Sequence, residues 1–408
     1  MKRKSHFLKK LRRNYGGGKK TIMRITLVFD GLQYGGIERV GIEYIKLLRN
    51  NGYDLQIINL NPELTDIEQE LPSEVNVVHI KYPQKLAAAR HSKYKQRIWV
   101  KSLGVAIARW ITGCVNHIYS LTYASKILDT DLAIAFSGHF NDLAFIVQNF
   151  KYKKKMAWLH GSQYSYLASS SGYFELYCHV KNLVCLSNQD DDKVERFNLE
   201  NHINKIKIYN PINLSSKNID LKKVTYLKKE YGDFILMVGR LERDKDQETL
   251  IRAVKLLHEK FNLKNKLILV GDGKERSKLE KIVEEFGMNE FIIFEGLRKD
   301  VQNYYTAAKI YAHSSPAEGL PTVLLEAMYY KCPIVSTNSE PGTREILEEN
   351  CGLISPVGDA NALAENIYKM YSDDICRESC ISAGEKRIKE FMPEQIINQL
   401  EVYIRNLL

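Results

Sequence analysis

From residue 234 to residue 372 the sequence alternates short apolar, β-branched runs with helical stretches, without a break in the order. Strands are expected at 234–238, 267–270, 291–294, 310–313, 333–336 and 352–354. Helices are expected near 247–260, 275–287, 300–308, 321–331, 343–349 and 360–372. Strict β–α alternation demands a parallel sheet with helices on both faces, because each crossover must return over the sheet before the next strand can pair. The first half repeats the logic. Residues 22–29 read as a buried strand that runs into Asp30-Gly31 and then Gly35-Gly36. Ile37, Val40, Gly41, Tyr44, Ile45 and Leu48 then recur at helical spacing. Further strands are expected at 54–60, 75–80, 131–136, 155–159 and 182–186. A chain of 408 residues exceeds one core of about 100–200 residues. The fold class is therefore α/β, with two doubly wound domains facing each other across a cleft. One covers 21–209 and the other 210–393, with a hinge at Asn210-Pro211 and the polar segment 213–224. In such folds ligands sit at the carboxyl ends of the strands.

The net charge of +10 is local. Residues 1–20 form a basic tail with nine cations and no acid, and residues 75–128 carry nine more cations, again without an acid. Without these two segments the chain is net acidic. Such clusters suggest an anionic partner. Within 93–110, Lys93, Arg97 and Lys101 recur on one side of a helical wheel, while Val100, Leu103, Ile107 and Trp110 lie on another, with Trp99 beside them. That is a basic amphipathic pattern suited to a membrane surface, although a helix packed on its domain with a solvated basic face shows the same pattern. No apolar h-region follows the basic tail, and 105–124, the most apolar stretch, contains Arg109, Asn116 and His117. A cytoplasmic protein, peripheral on the inner face of the cell membrane, is the expectation. The seven cysteines are scattered and include no Cys-x-x-Cys, so they read as small buried hydrophobes, with no metal site expected.

Four constellations carry chemistry. Glu318-Gly319-Leu320-Pro321-Thr322 follows the strand at 310–313 and opens a helix that carries Glu326 in its second turn. Pro321 suits the first helical position, and free amides in a first helical turn bind phosphate. Alone, either glutamate reads as a capping acid or a surface residue; both, at this spacing after a strand, point to a ligand. Gly239-Arg240 through Lys245 follows the strand at 234–238 and offers a guanidinium fork and an ammonium to a diphosphate. Gly35-Gly36-Ile37-Glu38-Arg39 lets backbone approach a ligand closely. His160, at the end of the strand at 155–159, can donate to a sugar hydroxyl or a phosphate, although a lone histidine is more often structural. Gly271-Asp272-Gly273 lacks the third glycine of a dinucleotide fingerprint and reads as a tight turn. Asp190-Asp191-Asp192 reads as a helix start.

Taken together, Gly239-Arg240 with Lys245, the Glu318…Glu326 spacing, the Gly35-Gly36-x-Glu38-Arg39 loop and Asn210-Pro211 resemble glycosyltransferase family 4 over roughly residues 22–400. The resemblance implies the GT-B fold of two Rossmann-like domains, with residues 394–408 crossing back to the first. It implies a retaining transfer from a nucleotide-sugar, a UDP-sugar favoured, to a bacterial surface glycan on a lipid diphosphate. Glu326 would hold the ribose, Glu318 would meet the donor sugar with His160 near it, and Arg240, Lys245 and the amides after Gly319 would hold the diphosphate. Gly36 would close over the phosphates. No cofactor or metal is expected, since cations and a helix N-terminus can carry the charge of the leaving group. Arg39, Lys93, Arg97, Trp99 and Lys101 would face a polyprenyl-diphosphate acceptor or an anionic membrane.

Three other classes compete. A GT-B sugar-nucleotide epimerase shares the donor site. A nicotinamide oxidoreductase requires the complete glycine fingerprint. A nucleic-acid-binding protein explains the basic segments but not Glu318…Glu326, and nucleic acid is not an expected partner.

Overall fold

The computed structural model describes residues 23–82, 127, 129–161, 163–169, 171–187, 195 and 202–408. The expectations for Lys93, Arg97, Trp99 and Lys101, for the basic tail and for the aspartates at 190–192 lie outside the described residues.

Two parallel sheets form the frame. The first contains β1 (Arg24–Phe29), β2 (Asp54–Asn59), β3 (Asn76–His79), β4 (Leu132–Ala135), β5 (Lys154–Leu159), β6 (Asn182–Cys185) and β7 (Asn204–Lys207), in the order β3-β2-β1-β4-β5-β6-β7. The second contains β8 (Ile235–Val238), β9 (Leu267–Val270), β10 (Ile292–Gly296), β11 (Ile310–His313), β13 (Ile334–Thr337) and β15 (Leu353–Ser355), in the order β10-β9-β8-β11-β13-β15. Short β12 (Ala317–Glu318) and β14 (Glu340–Pro341) pair with each other. The central strands are buried along their length, as they must be when helices cover both faces. In the first unit the covering helices are α1 (Gly36–Asn50), α2 (Phe140–Asn149), α3 (Gln163–Ser169) and α4 (Ser171–Val180). Then come α5 (Leu221–Tyr231), α6 (Gln247–Lys260), α7 (Arg276–Glu285), α8 (Val301–Ala307), α9 (Thr322–Tyr329), α10 (Gly342–Ile346), α11 (Ala360–Ser372), α12 (Asp374–Arg387) and α13 (Pro393–Leu407).

Strand order reverses between β1 and β4 in one sheet and between β8 and β11 in the other. A crevice opens at each such point outside the carboxyl ends of the strands. Beside the first crevice, α1 lies tight on the sheet because Gly41 has no side chain; a Cβ there would sit 2.5 Å from the Phe29 ring. Beneath it Tyr44, Phe136 and Trp158 pack with ring centroids 4.4–5.8 Å apart, each such pair adding about 0.5–1.5 kcal/mol beyond its buried area.

The segment expected to be a polar hinge is half helical. Asp220 caps α5 by accepting from the amides of Lys222 and Lys223, so 221–224 belong to the helix. Where the chain passes from β7 to α5, Ile212 N–H donates to the Phe391 carbonyl at 3.1 Å. At the same place Lys207 Nζ (2.8 Å) and Tyr209 Oη (2.5 Å) converge on the buried carboxylate of Glu345 in α10. Arg387 donates to Tyr209 Oη and to the Glu345 carbonyl. Helix α13 packs against α1, with Tyr403 Oη donating to the Asn204 carbonyl.

Candidate active site

The end of β8 is shaped by what lies under it. Gly271 sits at φ 142°, and a Cβ there would fall 1.9 Å from the Gly239 carbonyl oxygen. A Cβ on Gly273 would fall 2.3 Å from that of Leu241. The turn 271–273 is thus a packing device: Leu241 N–H donates to the Asp272 carbonyl, and loop 239–241 is held on the turn. Arg240 projects outward, 69% exposed, with Nη2 3.6 Å from Asp244. Asp246, in the left-handed region at φ 46°, ends the short turn 243–245 and caps α6 through Thr249. Lys245 is thereby turned inward, only 18% exposed, and its Nζ lies 2.5 Å from Glu318 Oε1.

Glu318 stands on the loop between β11 and α9. The β12–β14 pairing sets Glu318 opposite Pro341. Gly342 lets that strand pair close, since a Cβ on it would sit 2.5 Å from Pro321 Cδ and 2.7 Å from the Gly319 carbonyl oxygen. Burial alone would raise the Glu318 pKa, but the polar groups turned toward it, the His313 imidazole, the Lys245 ammonium and the Ser315 hydroxyl, outweigh it and hold the carboxyl down to about 2. Arg240, Asp244, Lys245, Glu318 and His313 form one chain of alternating charge and hydrogen-bonding groups.

Pro321 does not occupy the first helical position. It precedes α9 as the N-cap at φ −71°, ψ 102°, an extended conformation that carries the chain away from the β12–β14 pair, and Thr322 is the first helical residue. The amides of the first turn of a helix have no intrahelical acceptor, so Thr322 and Val323 present theirs at this end. Leu320 packs on the core, Thr322 is exposed, and nothing stands within 4 Å of where a Gly319 Cβ would be. Glu326, one turn on, is largely enclosed. Burial raises its pKa and the nearby Tyr305 hydroxyl partly offsets that, although this hydroxyl meets no acceptor at full hydrogen-bond geometry. Such a carboxylate gains most from ligand hydroxyls that donate to it.

At the end of the first sheet, Gly35 is the N-cap of α1 and Gly36 its exposed first residue. A Cβ on Gly35 would meet the Glu38 carboxylate at 2.2 Å, whereas the space around Gly36 is open. Arg39 is exposed on the same helix, and Glu38 is buried. His160 differs from the expectation of a donor. Its Nε2 lies 2.8 Å from the Phe136 carbonyl, which can only accept, so the ring donates there and leaves Nδ1 as an acceptor. Burial lowers its pKa to about 4, against the raising effect of that hydrogen bond, so the ring is neutral near pH 7.

Sequence reasoning passed over two groups. His139, at the start of α2, has Nδ1 3.3 Å from Asp30 Oδ2, and the hydrogen bond to Asp30 raises its pKa. Asp142 lies buried behind, accepting from the amides of Gly138 and Leu143, its pKa pushed up by burial and by the Asp30 charge. His313, the last residue of β11, is 2% exposed with Nε2 3.5 Å from Glu318 Oε1. The Asp30-Gly31 turn hinted at the first group, and nothing in the local sequence marked the second.

Residues 218–387, which hold the Arg240–His313 chain and Glu326, match the family model described as Glycosyl transferases group 1. That stretch is similar to a glycosyl transferases group 1 domain. A GalNAc-alpha-(1->4)-GalNAc-alpha-(1->3)-diNAcBac-PP-undecaprenol alpha-1,4-N-acetyl-D-galactosaminyltransferase of Campylobacter jejuni is 29% identical over 163 residues, 40% of this chain and 45% of that protein. The amylovoran biosynthesis glycosyltransferase AmsD of Erwinia amylovora is 21% identical over 381 residues, 92% of this chain and 98% of that one. The chain spans about half the length of the Campylobacter relatives it matches. Among solved structures, Anabaena Alr3699/HepE in complex with UDP superposes with a TM-score of 0.67 at 17% identity, covering 94% of this chain and all of that one. The two-sheet architecture is the GT-B fold.

Proposed function

We propose that this chain moves a hexose or N-acetylhexosamine from a nucleotide-sugar, a UDP-sugar first, to a lipid-linked bacterial surface glycan, with retention at the anomeric carbon. The observation that carries the reading is the half-buried Lys245–Glu318 pair at the switch point of the second sheet, between exposed Arg240 and the helix bearing Glu326. Glu326 accepts from the ribose hydroxyls. Arg240, Lys245 and the first-turn amides of α9 meet the diphosphate and stabilise the negative charge that grows on it as the glycosidic bond breaks, so that no metal is required. Glu318 accepts from hydroxyls of the donor sugar, and His160 accepts through Nδ1. Gly36 lets the first unit come close to the phosphates.

The choice of a uracil nucleotide is supported by the UDP complex of the Anabaena protein, and a lipid-diphosphate acceptor by the undecaprenol-linked substrates named for the Campylobacter relatives. The basic segments at 1–20 and 75–128 suit the inner face of the cell membrane. No helix among the described residues is long and apolar enough to cross a membrane.

The test is a panel of UDP-, GDP- and ADP-sugars given to the full chain with and without an undecaprenyl-diphosphate-linked glycan, following nucleoside diphosphate release and the product lipid. Release coupled to an α-linked product from an α-linked donor, undiminished by EDTA, supports the proposal. Free sugar or an epimerised donor without glycosylated lipid, or a β-linked product, contradicts it.

A further inference from the structure

His313 enters the donor site so far only as a neighbour of Glu318, yet it is among the most enclosed polar side chains near it. It closes β11 on the same face as Tyr311, whose ring lies roughly parallel to its own at a centroid distance of 6.3 Å. Its exposure is 2%, and neither ring nitrogen meets a hydrogen-bond partner among the described residues. A buried imidazole with both nitrogens unpaired is unfavourable unless a partner is recruited. The nearest charged atom is Glu318 Oε1, 3.5 Å from Nε2, just outside good hydrogen-bonding distance. That same oxygen is held by Lys245 at 2.5 Å.

Resting on the donor-site reading above, we propose that His313 is a positioning residue: it takes over the Glu318 carboxylate when the diphosphate draws Lys245 away. A diphosphate and Glu318 compete for one ammonium. Once Nζ turns to phosphate oxygens, the carboxylate loses its closest countercharge while a new negative charge arrives beside it. Unheld, it would swing away from the donor sugar. A small movement lets His313 Nε2–H donate to Oε1, with Ser315 beside it, and keeps the second oxygen aimed at the sugar hydroxyls. The role lies in orientation; His313 itself touches no substrate.

The experiment compares His313→Phe, which keeps ring volume without a donor, with His313→Gln, whose amide nitrogen reaches about where Nε2 lies. Turnover of the UDP-sugar, binding of UDP alone by calorimetry, and thermal melting are measured on the full chain. His313→Phe should bind UDP as the parent does, because Arg240, Lys245 and Glu326 are intact. Its kcat should fall by up to about a hundredfold, the scale of a misplaced catalytic contact. His313→Gln should recover most of the rate. A folded His313→Phe with parental kcat overturns the proposal, and so does a His313→Gln that is as slow as Phe while binding UDP normally. If Phe does not fold, Gln is compared with His313→Asn, whose shorter amide cannot reach: Gln faster than Asn supports the role, and equal rates overturn it. A parent that neither binds UDP nor turns over any nucleotide-sugar would instead overturn the donor-site reading.

Discussion

The two switch points of this molecule share one architecture and differ in chemistry. At the β8/β11 end, an ion chain runs from exposed Arg240 through Asp244, Lys245 and Glu318 to buried His313, and an enclosed glutamate stands one helical turn away. At the β1/β4 end, His160 is neutral and Asp30 pairs with His139, in front of a wall that includes Phe140, Tyr166 and Tyr173. On the proposed reading, one end exchanges an internal acid for an external anion. The other offers a carboxylate, imidazoles and aromatic faces, which suit a polyhydroxyl surface. The architecture opens a crevice in both places, and the side chains at the strand ends make the two chemically different.

The sharpest way to break this contrast is to remove the inward cation. Lys245→Ala should lower kcat/KM for the nucleotide-sugar by about 10²–10³, the usual loss for one charge-stabilising donor, with the fold intact by circular dichroism. The same substitution at Arg39, at the other switch point, should leave UDP binding alone.

Acid stability distinguishes the ends next. The Glu318 carboxyl is held near 2 in the folded chain, below its ordinary value of 4.5. A depressed folded pKa contributes stability that is present above the unfolded pKa and is lost as pH falls through the folded one. Glu318→Gln should therefore cost up to about 3 kcal/mol at pH 6–7 relative to pH 2, seen as a flatter dependence of urea midpoint on pH between 5 and 2. An unchanged pH slope would show that the ion chain does not stabilise the ligand-free form.

Smaller effects follow. Glu326→Gln should weaken kcat/KM by about 1.5–3 kcal/mol, the range for a hydrogen bond to a charged group, measured as a loss of UDP affinity and turnover together. Smallest of all is the pH response at His160. With a pKa of about 4 its charge does not change between pH 6 and 8, so the parent and His160→Asn should have pH–rate profiles of the same shape, differing only in height. A limb near pH 6.5 that disappears in the variant would reverse the assignment.

Much of this was legible in the residues before any coordinates. Residues 310–313 and 267–270 are short apolar runs between turn residues, and both are strands with those bounds. The expected strand at 333–336 is displaced by one residue, to Ile334–Thr337; Pro333 has no N–H to give and joins only through its carbonyl, which accepts from Tyr311 N–H. Helix α12 was legible only as a helix around Cys376 and Cys380, without its bounds or its buried face. Its buried residues are Cys380, Gly384 and Arg387, which give no apolar period to read. The start of α5 was hidden in the same way, since only Val224 and Leu227 are buried along its lysine-rich length. In the site, Glu318, Glu326, Arg240 and Lys245 were found because each lies next to a strand end or helix start that the pattern locates. What joins them was not: Lys245 and Glu318 are 73 residues apart, and the Phe136 carbonyl that fixes the His160 tautomer is 24 residues away. Local pattern locates side chains, and tertiary geometry decides which hydrogen bond each one keeps.

The most direct test of the central claim, that the β8/β11 end is the nucleotide-diphosphate half of the site, is calorimetric binding of UDP to the full chain and to Lys245→Ala over a range of salt. Binding by the parent that weakens with salt and is largely lost in Lys245→Ala is the expected result. Equal affinity in the two proteins, or binding that persists in Lys245→Ala and is lost in Arg39→Ala, would contradict it.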